Sequence, residues 1–540
     1  MPLSRYKPGN YSGTRDAVSR SHSTQVDATI RERRPCTNLI GTRLPRFRSK
    51  RLINIKMKTV IYIRTVVYMR TVILRGCDFF DALWNMEQVF QMDAVYKQDM
   101  SEFCGEQTHS AVRLRRPERR QVAMLIHCPD DLVSANHPVR MVMAVVEKFD
   151  LERFHAPIKA RQGQAGRDAT DPQLLVALWL YACIRGIGSA RELARRCEDS
   201  AAFRWLCGGV GVNHRLLSDF RTDHGAALDE LFTQVIASLV DKEVVRVSRV
   251  SQDGVRVRVS AGASSFRREE RLEKLLEEAR RHVDELRRQV DSPEHAALSA
   301  RQRGARKRAA AERQRRLEEA IAQLPELKQK QAEAARRAGR GKRGQQIRAR
   351  QPRVSTTDAE ARVMKMPNGG FNPALNVQLA TDTESRAIVG VEVSNEGSDS
   401  AGLSEPMRRQ VEQRTGGKVR QQLIDGGYIR TQDIEQAQAH GVELFVPPKP
   451  ARQARNQDRE LEPKRGDTEA VLAWKQRMSS EEGKQIYKER ASTSETVNAD
   501  LRSYRGLSQF TVRGLQKARC VALWCALAYN LMHFATVLLS

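Results

Sequence analysis

Val250-Ser251-Gln252-Asp253-Gly254-Val255-Arg256-Val257-Arg258-Val259-Ser260-Ala261-Gly262-Ala263 is the stretch on which the fold turns. Val245 and Val247 before it, and Val255, Val257 and Val259 within it, alternate with Arg and Ser. A period of two is the signature of a half-buried strand. The passage reads as a β-hairpin or as two adjacent strands with Asp253-Gly254 between them, because Asp-Gly pairs are usually turns.

Upstream the period changes. Leu132, Val139, Val142, Val145, Val146 and Phe149 recur mostly at three- and four-residue steps, which predicts helix over about 130–240. Asp171-Pro172 is a start signal, with Asp as N-cap and Pro in the first turn, for a helix from Gln173 to Ile184. Gly186 and Gly188 break it, Ser189 caps Ala190–Cys197, and Asn213 or Ser218 starts a helix through Phe220. Arg191, Arg195, Arg196, Arg204, Arg215 and Arg221 surround these short helices. That pattern suits a helix-turn-helix-like DNA-binding domain and, equally, a plain bundle with a solvated basic face.

Downstream, Leu272, Leu276, Ala279, Val283, Leu286 and Val290 form a heptad seam that ends at Ser292-Pro293. Leu317, Ile321 and Leu324 resume it before Pro325. The expectation is an antiparallel helical hairpin inserted into a β-rich domain, followed by a flexible basic linker over Arg336–Arg350. Dimerisation, DNA contact and a merely solvated face all fit it. Strands return at Leu375–Ala380 and Ala387–Val393, a hairpin across Thr381–Arg386. Val419–Ile424 is a short apolar strand running into Asp425-Gly426-Gly427. Thr431 caps a helix to His440, Gly441 stops it, and Val442–Val446 is a further strand. Residues 486–539 are mainly helical. Strand, helix, strand after an antiparallel start gives an α+β or mixed α/β fold.

Composition points to a polyanionic partner. The chain has 540 residues, with 92 Lys and Arg against 65 Asp and Glu, a formal charge of +27. Nine cysteines are scattered without a CxxC pair, which fits a reducing cytoplasm and argues against a disulfide framework or a structural zinc site. There is no secretory signal and no Walker-type motif. Cys520–Leu539 is apolar enough for a tail anchor, but Asn530 and His533 favour a buried or amphipathic helix and no membrane partner. Residues 1–112 show no core-forming pattern. They read as a basic arm on DNA or as an over-extended reading frame, the second being preferred.

Three acids stand out by position. Asp253 follows alternating strand, Asp425 ends an apolar strand before a Gly-Gly turn, and Glu495 lies on helix among basic neighbours. Carboxylates from separate segments that meet at strand ends can hold a pair of Mg²⁺ ions, which prefer hard oxygen ligands and can clamp an in-line phosphoryl transfer. Most of the chain's acids are solvated, so position alone does not select these three. His127, Cys128 and His137 are a poorer metal set, and Cys197 and Cys207 read as core thiols.

The quoted stretch resembles the first acidic motif of DDE transposases from bacterial insertion sequences. Leu423-Ile424-Asp425-Gly426-Gly427-Tyr428 resembles their second, and Tyr487 through Arg502, followed by Arg505-Gly506-Leu507, their third. Ala361–Gln378 and the run from Gly188 through Trp205 to Arg221 are also similar. The resemblance covers about 115–540, with all three motifs in order.

It implies a ribonuclease-H-like catalytic core interrupted by a coiled-coil insertion and preceded by an all-α DNA-binding domain. The divisions are 1–112 (atypical extension), 113–240 (helical domain), 244–262 (first part of the core), 263–352 (insertion and linker) and 353–540 (remainder of the core). Asp253, Asp425 and Glu495 would be the catalytic acids, holding two Mg²⁺ or Mn²⁺ ions. Water would cut DNA at the element end, and the freed 3′-OH would attack target DNA. Tyr487, Arg490 and Arg502 fall near a Tyr–Arg–Glu–Lys signature. Here the Arg-to-Glu spacing is one residue longer than that signature's usual form, and Arg502 replaces its Lys. These three, with Arg191, Arg195 and Arg215, are the expected DNA contacts. A homodimer or larger assembly in synapsis is implied. The alternative is a catalytically inactive DNA-binding or scaffold protein derived from a transposase.

Overall fold

The computed structural model describes residues 128–160, 163, 167–288, 299–397, 402, 404–426, 430–448 and 461–540. The expectations for 1–112, and for the end of the heptad seam at Val290–Pro293, lie outside the described residues.

Helices come first. The longer ones are α1 (Pro138–Val146), α2 (Pro172–Ile184), α3 (Ala190–Asp199), α4 (Ala201–Cys207), α5 (His214–Asp223) and α6 (Gly225–Asp241). Their starts are set by capping. Asp171 Oδ1 accepts from Gln173 N at 2.8 Å, with Pro172 in the first turn of α2. Ser189 caps α3, and Asn213 Oδ1 accepts from both Arg215 N and Leu216 N to start α5. His137 also serves as a cap, its Nδ1 accepting from Val139 N at 3.1 Å.

The sheet follows, and β1 (Arg249–Arg258) is its centre. This corrects the reading of Asp253-Gly254 as a turn between strands. β1 runs straight through both residues because it is paired on each side. β5 (Phe371–Asp382) lies antiparallel along it, with Asp253 opposite Leu379 and Gly254 opposite Gln378. β7 (Gln421–Ile424) lies parallel on the other edge. Val245 and Val247 are buried but precede the strand, Val247 at a φ of 46°.

β6 (Ile388–Ser394) pairs antiparallel with β5, as the predicted hairpin requires, and Arg386 turns the chain at a φ of 63°. β4 (Arg362–Lys365) pairs with the other end of β5, and β8 (Glu443–Phe445) adds parallel to β7. The mixed α+β architecture is that of a curled sheet with helices packed on it, as a ribonuclease-H-like core has.

Between β1 and β4 stand β2 (Phe266–Arg267), α7 (Glu269–Arg288), α8 (Ala300–Ala322), α9 (Leu324–Ala338), α10 (Lys342–Ala349) and β3 (Val354–Ser355). Leu272, Leu276 and Ala279 of α7 share a small core with Leu317 and Ala320 of α8 and Leu324 of α9. The ion pairs Glu269–Lys328 and Arg280–Glu318 join early to late positions, so the helices run antiparallel. The basic stretch expected as a flexible linker is mostly helix: α9 reaches Ala338 and α10 covers Lys342–Ala349.

The rest is α11 (Ser404–Thr415), α12 (Thr431–Ala439), α13 (Glu469–Ser479), α14 (Glu481–Arg490), a π turn (Ala491–Glu495), α15 (Thr496–Ser503) and α16 (Leu515–Leu539). Arg430, not Thr431, occupies the N-cap of α12. α16 is the long apolar segment. It is a core helix, with 72% of its most apolar window buried inside the fold. Trp524, Leu527 and Leu531 join Leu178, Phe232 and Val391 in one hydrophobic cluster that spans the early helices and the sheet. Asn530 is fully buried there. Its Oδ1 accepts from Ile388 N at 2.9 Å and its Nδ2 donates to Ile388 O at 2.8 Å, so the polar residue ties α16 to the start of β6.

Candidate active site

The two aspartates meet through strand register. In the parallel pair β1/β7, Gln252 lies opposite Ile424, the last residue of β7. Asp253 and Asp425 each come one residue later, on neighbouring strands spaced about 4.8 Å apart. One residue further on, both chains carry glycine. The amides of Gly254 and Gly426 donate to Oδ1 of Asp253 and Asp425, each at 2.9 Å.

Glu495 arrives from the helical segment behind. The π turn Ala491–Glu495 packs between α14 and α15. A π turn closes i→i+5 bonds and takes up one extra residue. That is the local answer to the Arg490–Glu495 spacing, which is one longer than the related signature. Two contacts hold this segment to β1. Ser494 Oγ and Ser251 Oγ share a buried hydrogen bond of 2.6 Å, and Asn498 Nδ2 donates to Asp253 Oδ2 at 2.9 Å. Positions two apart on a strand face the same side, as do positions four apart on a helix. Ser251 and Asp253 therefore match Ser494 and Asn498. Arg249 adds an ion pair to Glu489 at 2.6 Å.

Arg490 stands among the acids. Its guanidinium lies 3.6 Å from Asp253, 3.8 Å from Asp425 and 4.0 Å from Glu495. The Arg490 side chain is 14% exposed, whereas the carboxylates of Asp425 and Glu495 are 48% and 67% exposed. The site is open at Asp425 and Glu495 and closed at Arg490 and Asp253. Burial works against the Arg490 charge, but Tyr487, Asp253 and Asp425 outweigh it and hold the pKa above its ordinary value. The Tyr487 ring lies 5.8 Å from the guanidinium. Burial pushes the Tyr487 phenol up, and Asp425 and Asp253 add to that against the opposing Arg490.

Among the described residues, no three His, Cys, Asp or Glu side chains are drawn together closely enough to hold a metal ion. The three acids surround a guanidinium instead. Their donor set is nevertheless that of a hard divalent cation: carboxylate oxygens from two strand ends and one helix, around one centre of positive charge.

The remaining expected residues are dispersed. Arg502 is exposed on α15, seven positions after Glu495. Arg191 is exposed on α3. Arg195 pairs with Glu192 of the same helix at 2.6 Å, and Arg215 of α5 lies 3.8 Å from Asp219. Arg221, grouped with them by sequence, is 5% exposed and structural. Its guanidinium stacks 4.7 Å from the Trp179 ring and donates to Gly188 O and Thr511 Oγ1. Ser251, Ser494 and Asn498 escaped the sequence reading. Their signal was the matched spacing around Asp253 and Glu495.

The turn after α2 and the segment after α15 also meet. A Cβ on Gly186, at a φ of 71°, would come within 3.1 Å of Tyr504 O, and Arg505 Nη1 donates to Ile184 O at 3.1 Å. These regions fall in two different family matches. The family model "Transposase domain (DUF772)" matches residues 127–223, and "Transposase DDE domain" matches 344–531. Asp425 and Glu495 lie within the second match, and Asp253 lies between the two. No curated protein and no solved structure matches the chain. The two matched segments, both of transposase families, mark the chain as a transposase. Within that class the chain belongs to the DDE-type transposases of the insertion-sequence kind.

Proposed function

We propose that this chain binds the ends of an insertion sequence and catalyses DNA strand cleavage and strand transfer at Asp253, Asp425 and Glu495. The observation that carries the reading is the convergence of these three acids on Arg490, all within 4.0 Å. The family acts on DNA, and its DDE domains use divalent metal ions.

Asp253, Asp425 and Glu495 would hold two Mg²⁺ or Mn²⁺ ions. When bound, such a pair supplies charge stabilisation to the attacking and leaving oxygens of a phosphoryl transfer. The chain's own residues do the rest. Asn498 fixes the orientation of Asp253 through its 2.9 Å hydrogen bond. The Ser251–Ser494 bond sets the depth of the helix that carries Glu495. Arg490 offsets part of the negative charge of the three acids in the metal-free protein and becomes a phosphate contact when DNA arrives. Tyr487 backs its guanidinium, and Arg502 extends the contact along the same helical segment. Arg191, Arg195 and Arg215 are exposed contacts for the element ends. Assembly of at least two copies at synapsis and a cytoplasmic, nucleoid-associated location complete the reading.

The test is a cleavage and joining assay on labelled DNA carrying the element ends, with Mg²⁺ or Mn²⁺ added or chelated. Metal-dependent nicking followed by joined product supports the proposal. Binding without cleavage in any metal condition overturns it in favour of an inactive DNA-binding derivative.

A further inference from the structure

A second basic site lies away from the acids, at the root of the inserted helices. A cleft of about 650 Å³ is lined by Arg267, Arg271, Arg313 and Arg316, with the hydroxyl-bearing Thr356 and Thr357. An adjoining hollow of about 360 Å³ shares Arg267 and Arg271 and adds Arg268, Lys274 and Arg353. Two elements build this wall. The β2/β3 ribbon pairs Arg267 with Val354, and a 2.7 Å bond between Ser265 Oγ and Ser355 Oγ fastens it. Behind it, Leu272, Leu276 and Leu317 pack with Val354, so the concave shape rests on a small apolar core.

The charges there are unevenly matched. Lys274 is paired with Glu270 at 2.7 Å. Arg271 and Arg313 share Glu278 at 3.6 and 3.9 Å, and Arg316 reaches Glu312 at 3.9 Å. Arg267, Arg268 and Arg353 are exposed and make no ion pair among the described residues. Seven cations against three carboxylates leave a surplus of four. A concave wall concentrates that field, and neighbouring hydroxyls supply neutral donors. A solvated helix face explains scattered arginines, but not three unpaired ones gathered on and next to a ribbon, beside a cleft with threonine donors.

We infer that this cleft is a DNA-backbone binding site, separate from the acids, in which Arg267, Arg268 and Arg353 contact phosphates. The inference rests on the reading of the chain as a DNA-acting transposase. It assigns part of the substrate's grip to the insertion rather than to the early helices or the acid site. Contacts of this kind hold and orient a duplex without reading its sequence.

The test measures binding of duplex DNA by the full chain as a function of salt, for wild type, for a cleft variant and for a control. The cleft variant carries Arg267→Gln, Arg268→Gln and Arg353→Gln. The control carries Arg280→Gln, Arg287→Gln and Lys330→Gln, three cations on the inserted helices that pair with acids outside the cleft. Each lost phosphate contact lowers the slope of log K against log salt by about 0.9, so the cleft variant should lose roughly 2 to 3 units and bind about tenfold more weakly. The control should keep the wild-type slope. All six side chains are exposed, and matched melting curves establish that both variants fold. A slope unchanged in the cleft variant, or lowered equally in the control, overturns the inference and leaves the transposase reading standing. Failure of the wild type to bind DNA overturns both.

Discussion

Arg490 Nη1 stands 3.6 Å from Asp253 Oδ1, and the same guanidinium reaches Asp425 and Glu495, so one cation links all three acidic motifs of the chain. Removing it takes away the cation that the three carboxylates share, while Asn498 still donates to Asp253. Partly exposed pairs of this length contribute about 0.2–1 kcal/mol each. Arg490→Gln should therefore lower the stability of the metal-free protein by roughly 1–2 kcal/mol. Added Mn²⁺ should raise the melting temperature of the variant by more than that of wild type, because no guanidinium competes for the acids. Thermal melts with Mn²⁺ and with chelator check this. Equal metal-induced shifts in the two proteins would count against the role of Arg490 as counter-charge.

Asn530 of α16 satisfies both main-chain groups of Ile388, accepting from its N–H and donating to its carbonyl. Asn530→Leu keeps similar bulk but strands a buried N–H and a buried C=O. Each costs about 1–3 kcal/mol, so urea denaturation should show a loss of roughly 2–6 kcal/mol. A loss under half a kcal/mol would mean that the apolar character of α16 alone secures it to the sheet.

Gly390 of β6 lies against α11 with no room for a side chain. A Cβ there would come within 2.6 Å of Met407 Sδ and 3.0 Å of Ala380 Cβ. Gly390→Ala should cost about 1–3 kcal/mol through overpacking. Pairing it with Met407→Ala should recover part of that loss. A double-mutant cycle on chemical denaturation measures the coupling, and strict additivity would contradict the contact.

His224 packs on Phe220 and Phe154, with ring centroids 4.8 and 5.7 Å away, and burial depresses its pKa below the ordinary 6.5. A group with a depressed folded pKa binds protons more readily when unfolded. The unfolded state therefore gains protons first as pH falls below about 6.5, and stability drops through the folded value. His224→Gln should flatten the fall in melting temperature between neutral and mildly acidic pH. An unchanged pH profile would place the acid sensitivity elsewhere, for instance at His533, which burial shifts in the same direction.

Local chemistry made much of this fold legible. Asp171, Ser189 and Asn213 announce helix starts because each can satisfy a free amide, and all three do so. The β5/β6 hairpin and the burial of the last helix followed from period and apolarity. The misreadings came from tertiary context. Asp253-Gly254 has the local chemistry of a turn, but strands on both edges hold it extended. The arginines near 336–350 read as linker because their helices carry almost no apolar stripe. Arg221 reads as a surface cation, yet Trp179 and two oxygen acceptors compensate its burial. The gathering of the acids on Arg490 required the β1/β7 register and the π turn, neither of which has a short-range signature.

If Asp253, Asp425 and Glu495 act as one site, Asp253→Asn, Asp425→Asn and Glu495→Gln share one phenotype against wild type. The assay is metal-dependent nicking and joining of labelled element-end DNA, with DNA binding measured in parallel. Each substitution alone should abolish both reactions while binding persists. Cleavage that survives all three substitutions would contradict it.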